Sequence, residues 1–190
     1  MRNKNKNDRE IEVRFLDVNV NIFLKKLKSF QATDLGEALL KEIIFYDMDK
    51  TWGDQGKFVR LRKIKKESVL SFKHHQNDVI TGTKEIEFKV DNFERAKSFL
   101  KNIGLVAVRE QEKKRHSFIL EGVMIDLDTW PSIPTYIELE GKSRRKIKSV
   151  ARILGLNWNQ AVYENAKIVI EKYYKVPVSS FRYFTFSRIG

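Results

Sequence analysis

Charged and apolar residues alternate in runs along most of this chain. From Arg9, the stretch Glu10-Ile11-Glu12-Val13-Arg14-Phe15 repeats every two residues and predicts a strand. The same pattern predicts strands at residues 57–65 (KFVRLRKIK), 68–74 (SVLSFKH) and 84–90 (KEIEFKV), and at 106–113, 115–120, 123–128 and 135–140. Residues 38–49 are mixed, but their β-branched and aromatic content reads as strand. Helical spacing appears at 19–29, where Val20, Phe23, Leu24 and Leu27 share a face and Asp17 or Asn19 can cap. It appears again at 92–103, ending on Gly104, and at 143–154 and 159–174, split by Gly155. DKTWGDQGK is a turn-rich loop and Glu121-Gly122 a hairpin turn. About eight strands with interspersed helices predict an α+β domain on one antiparallel sheet over residues 9–175. Residues 1–8 form a disordered start, and the aromatic tail 176–190 forms a last strand or packs as a lid.

The alternation leaves two or three charges on one face of each strand. For a single strand this describes an ordinary solvated face, since antiparallel sheets commonly have a wet side. Two features of the set change that. The charges come in blocks, acidic on some strands and basic on others, where a solvated face mixes signs with Ser, Thr, Gln and Asn. An eight-stranded closed barrel also has room inside for one small ligand. A lining of both signs suits an anion that arrives with a metal. Arg and Lys take phosphate oxygens, and paired carboxylates hold hard divalent cations.

Composition narrows the candidates. The 190 residues carry a net charge of +12 and 33% charged side chains, so a polyanion of some kind is attracted. There are no cysteines, which excludes disulfides and thiolate metal sites. No apolar run approaches twenty residues, and the polar start MRNKNKNDRE lacks the apolar stretch of a signal peptide, so a cytoplasmic protein without membrane spans is expected. No glycine motif of the Walker or dinucleotide type occurs.

The opening Glu10-x-Glu12-x-Arg14 resembles the Glu-x-Glu-x-Lys signature of the CYTH domain, the triphosphate tunnel metalloenzyme superfamily of class IV adenylate cyclases and thiamine and inorganic triphosphatases. The likeness continues in order. Arg60 and Arg62 resemble the family's basic pair, Lys73 the basic residue of the next strand, and Glu85 and Glu87 the central acidic pair. Lys113 and Arg115 resemble its Lys-x-Arg, and Asp128 with Glu138 and Glu140 its closing aspartate and Glu-x-Glu.

The resemblance implies a closed eight-stranded antiparallel β-barrel, the triphosphate tunnel, with flanking helices. It implies Glu10, Glu12, Glu138 and Glu140 as ligands of Mg²⁺ or Mn²⁺. Arg60, Arg62, Lys73, Lys113 and Arg115 would hold phosphates, and Glu12, Arg14 and Asp128 would act in catalysis. Two departures stand out. Arg14 replaces the signature lysine and stays protonated, so it cannot be a general base. The loop Trp130-Pro131-Ser132-Ile133-Pro134-Thr135-Tyr136 replaces the glycine-containing segment of the cyclases and reads as stiffer.

The remaining candidates have plainer readings. His74-His75 runs into a polar hairpin end, and His116 lacks a second ligand nearby in sequence. Trp52, Trp130 and Trp158 fit core or rim packing, and the basic run from Lys142 to Lys148 a solvated helix start. The reading that results is hydrolysis of a small triphosphate (tripolyphosphate, a nucleoside triphosphate or thiamine triphosphate) by a monomer or homodimer, with nucleic acid not the expected partner. The alternatives are ATP cyclisation to cyclic AMP and pyrophosphate, or a non-catalytic polyphosphate or nucleotide sensor. Like charges crowding an empty tunnel further predict that Arg60→Ala or Arg115→Ala stabilises the ligand-free protein.

Overall fold

The computed structural model describes residues 11–75 and 83–190. The chain runs through β1 (Ile11–Phe15), α1 (Val20–Ser29), β2 (Thr33–Tyr46), β3 (Lys57–Ile64), β4 (Glu67–His75), β5 (Thr83–Val90) and α2 (Phe93–Asn102). It continues through β6 (Val106–Leu120), β7 (Val123–Thr129), β8 (Tyr136–Gly141), α3 (Arg144–Ile153), α4 (Ala166–Lys172) and the two-residue β9 (Tyr183–Phe184). The eight long strands form one antiparallel sheet in the order β1-β8-β7-β6-β2-β3-β4-β5, with β9 added in parallel beside β6. This is the expected eight-stranded α+β tunnel, built as a curled sheet. Among the described residues no ladder joins its end strands β1 and β5. The predicted disordered start and Glu10 lie outside the described residues.

The two faces of the sheet have the roles that the alternation suggests. The apolar face points outward and is covered by helices. Val13, Phe15, Ile125, Leu127, Ile137 and Leu139 pack with Phe23 and Leu27 of α1 and with Ile147, Val150 and Ala151 of α3. Ile43, Phe45, Val59 and Leu61 pack with Leu100 of α2. The charged face therefore turns inward.

α1, α2 and α3 begin on Asn19, Asn92 and Ser143, whose side chains accept from the backbone N–H three residues on. Glu121 and Gly122, both at positive φ, turn β6 into β7.

Three expectations need correction. Residues 106–120 form one strand rather than two, because β6 pairs with β2 through Lys113, Lys114 and Arg115 without a break. The strand at 38–49 begins earlier, at Thr33. The helix expected over 159–174 exists only from Ala166 to Lys172. Ahead of it the chain is extended, and Val162 exchanges two backbone hydrogen bonds with Arg14, at 2.8 and 2.9 Å. β1 is an end strand whose outer N–H and C=O groups need partners, and this demand outweighs local helix propensity.

α4 and the tail pack against the inner face at one end of the tunnel. There Val169, Ile170, Val178 and Phe184 meet Trp130 and the inward-facing Tyr136. Phe184 stacks on Trp130 at 6.0 Å.

Candidate functional site

Strand register brings opposite charges side by side on the inner face. Arg14 lies opposite Glu138, Arg62 opposite Glu42, Lys73 opposite Glu85 and Arg115 opposite Asp128. The block-wise charges of the sequence thus have a geometric reason: an acidic strand is laid beside a basic one.

Two clusters result. In the first, Arg115 contacts Asp126 and Asp128 at 2.6 Å and Glu138 at 2.9 Å. Lys113 contacts Asp128 at 2.6 Å, and Arg14 contacts Glu12 at 2.5 Å and Glu138 at 2.8 Å. In the second, Arg62 contacts Glu42 at 2.6 Å, and Lys73 contacts Glu85 at 3.2 Å. Arg60 reaches Glu85, Glu87 and Glu42 only at 3.4, 3.6 and 3.9 Å. Lys113 and Glu42 interact across the neighbouring strands β6 and β2, and Lys73 of β4 acts on Glu12 of β1, so the clusters share one lumen.

All five predicted phosphate-binding residues therefore face the lumen, with Glu12, Arg14, Asp128 and Glu138. Glu140 directly opposes Glu12. Two carboxylates side by side on adjacent strands repel each other unless a proton or a cation sits between them. Among the described residues, no three carboxylates or histidines stand in ready-made metal geometry.

Sequence reasoning missed Glu42, Ser71, Gln111 and Asp126, all buried on the inner face. Gln111 donates to Glu42 at 2.7 Å and Ser117 to Asp126 at 2.6 Å. The signal for Glu42 was its position, a lone acid beside a basic strand. His116 contacts Asp34 at 2.7 Å in an exposed pair away from this lumen. Trp130 is buried, donates to Tyr136 and lies under the Lys113 ammonium at 5.2 Å, so it is packing that also borders the site.

The electrostatics separate the two carboxylates beside Arg14. Burial pushes the Glu12 carboxyl up, and Glu138 adds to this against the pull of Arg14, although 40% of the Glu12 side chain stays accessible. Burial would raise Glu138 as well, but Arg14, Arg115 and Lys113 hold it well below the usual carboxylate range. Of the two, Glu12 therefore holds a proton to the higher pH.

Asp128 and Glu42 are also depressed, against burial, by Arg115 and Lys113 and by Arg62 and Arg60 respectively. A depressed carboxylate contributes stability above its unfolded pKa, about 4, and loses it as pH falls through the lower folded value. Glu12 has the opposite sign, and ionising it costs stability as pH rises. Burial also pushes Asp126 up, but Glu138, Asp128 and Glu42 are held down, so the urea midpoint is expected to fall below about pH 4. A midpoint that stays flat from pH 7 to 3 would contradict the ion-paired lining.

Among the described residues, three lumen atoms are buried without a hydrogen-bond partner: Nε of Arg14, Nε of Arg60 and Oγ of Ser71. Ser71 lies directly opposite Arg60 on β4 and opposite Glu87 on β5. Buried donors left unpaired cost free energy, and together these three call for acceptor oxygens inside the tunnel.

A family model described as CYTH domain matches residues 8–174. Solved structures show the same fold. A conserved hypothetical protein from Pyrococcus furiosus is 24% identical with a TM-score of 0.69, covering 83% of this chain and 97% of its own. A candidate adenylate cyclase from Vibrio parahaemolyticus is 17% identical with a TM-score of 0.76, covering 86% and 98%. A candidate adenylyl cyclase from Hippeastrum, described as having a dominant triphosphatase activity, is 15% identical with a TM-score of 0.64, covering 88% and 96%. Among curated proteins none matches. Among the described residues no helix is long and apolar enough to cross a membrane.

Proposed function

The chain belongs to the CYTH domain family, and on that premise we propose that it hydrolyses a small triphosphate held in the tunnel together with Mg²⁺ or Mn²⁺. The observation that carries this reading is the set of unpartnered donors on Arg14, Arg60 and Ser71 inside the lumen. Phosphate oxygens supply the missing acceptors. Arg60 and Arg62 from one wall, Lys113 and Arg115 from the other, and Lys73 at the seam position a triphosphate between them.

Since cations and carboxylates nearly cancel in the lining, a bare triphosphate gains little net attraction. The hard oxygens of Glu12, Glu138 and Glu140, with Glu10 outside the described residues, suit a divalent cation. These residues would hold the cation, and the chemistry it would supply is neutralisation of charge on the phosphate oxygens. Glu12, whose carboxyl is pushed up by burial, gives up its proton as pH rises, and the carboxylate left behind is the group able to accept one from water and release it again. Asp128 orients Lys113 and Arg115.

Incubation with tripolyphosphate and with ATP, each with Mg²⁺ or Mn²⁺, distinguishes the readings. Orthophosphate marks a hydrolase, cyclic AMP with pyrophosphate a cyclase, and binding without turnover a sensor.

One observation favours the sensor as second reading. The Arg14 guanidinium is fixed by Glu12, Glu138 and the Glu164 carbonyl, and its pKa is raised by the two carboxylates in spite of burial. It cannot shuttle a proton. Arg14→Lys is expected to keep triphosphate affinity within a few fold and, in a hydrolase, to raise the rate or shift its alkaline limb. Because a lysine cannot fork to three acceptors, it should also lose about 1–3 kcal/mol of stability. Paired pH–rate and urea series test both, and a large loss of hydrolysis would show that the fork itself is needed.

A further inference from the structure

Arg109 is the one buried cation of the inner face that no carboxylate touches among the described residues. It is 7% exposed. Its Nε donates to the Gln111 amide oxygen at 2.8 Å and its Nη1 to the Val178 carbonyl at 3.1 Å. Both partners are neutral, and burial lowers its pKa. Arg14, Arg60, Arg62, Lys73, Lys113 and Arg115 each have a carboxylate within 4.0 Å. A buried guanidinium without a counter-ion is costly.

Beside Arg109 is a cavity of about 200 Å³, lined by Tyr46, Lys50, Asp54, Lys167 and Ser179. It lies between the β2–β3 loop, β6 and α4 with the segment that follows it. Neither Lys50 nor Lys167 has an ion pair among the described residues, and Arg109 Nη2 makes no hydrogen bond there. Gly53 also lines it, and a Cβ at that position would meet the Tyr46 ring at 3.0 Å. Two acids oppose an anion. Asp54 is exposed on the rim, and Glu171 is already accepting the Ser179 N–H at 2.7 Å. The volume is below the roughly 300–1,000 Å³ of pockets that enclose drug-sized ligands, so it fits one small ion.

We propose that this cavity is a second anion site, separate from the tunnel lumen, which binds free orthophosphate through Arg109, Lys50 and Lys167. The site connects to the lumen by a chain of hydrogen bonds. Arg109 donates to Gln111, Gln111 donates to Glu42 at 2.7 Å, and Arg62 donates to the other Glu42 oxygen at 2.6 Å. An ion at Arg109 therefore acts on the group that holds Arg62.

Calorimetric titration of the full chain with inorganic phosphate tests the site, using Lys50→Gln/Lys167→Gln to remove the rim charges and Arg60→Ala to damage the tunnel. Saturable binding is expected, weakened at least about tenfold by the rim pair, since two charge-assisted contacts are lost, and held within about twofold by Arg60→Ala. Absence of saturable binding would overturn the proposal, and so would binding that survives the rim pair but is lost in Arg60→Ala. Because triphosphate binding is read separately, failure of the tunnel reading and failure of this site give different patterns.

Discussion

Arg115→Ala is expected to destabilise the ligand-free protein by about 3–5 kcal/mol, because it leaves buried carboxylates without their cation. Asp126, Asp128 and Glu138 all contact Arg115 within 2.9 Å, and its pKa is raised well above the ordinary value by these neighbours in spite of burial. This reverses the expectation from the sequence that like charges crowd the empty tunnel. The crowding is real only at Arg60, whose pKa is lowered by burial and then by Arg62, and whose contacts with carboxylates are loose. Arg60→Ala should leave stability near wild type and weaken triphosphate binding by about 2 kcal/mol or more. Urea unfolding of the two variants checks the contrast, and equal stability losses would show that the two guanidinium environments do not differ as described.

Glu12→Gln is expected to lower turnover at least about 100-fold, the scale for loss of one preorganised catalytic group. The amide keeps the shape and can still accept from Arg14, but it loses the charge for a metal and the capacity to move a proton. The fold should be as stable as wild type or more so. Burial and the nearby Glu138 already disfavour the ionised Glu12, and the amide N–H can donate to Glu138. Steady-state rates with urea midpoints separate the two effects. A variant with wild-type turnover would remove Glu12 from the chemistry, and one that unfolds would make Glu12 structural.

Much of the tunnel was legible because a strand has period two. Wherever apolar residues face helices on one side, the intervening Arg60, Arg62, Lys113, Arg115, Asp128 and Glu138 must share the other. Glu42 was hidden because its neighbours on the same face, Leu40 and Ile44, are themselves buried and apolar, so β2 shows no charge alternation. Ser71 and Gln111 are short or neutral and leave no pattern. Their importance comes from lying opposite Arg60 and Glu42 in the register, a pairing between strands distant in sequence. The extended segment at Val162 and the parallel pairing of β9 with β6 were equally illegible. Both answer unpaired backbone on strands far away along the chain, whereas local spacing suggested a helix at 159–174 and, for the tail, a last strand or a lid without a pairing partner.

The central claim is that the lumen takes a triphosphate together with a divalent cation. Calorimetric titration of wild type and Arg60→Ala with tripolyphosphate, each in Mg²⁺ and in excess EDTA after removal of carried-over metal, tests it most directly. The account predicts tight one-site binding by wild type in Mg²⁺, lost in EDTA and weakened at least about thirtyfold in Arg60→Ala, the equivalent of about 2 kcal/mol. Isotherms that are the same for both proteins, or the same with and without the cation, would contradict it.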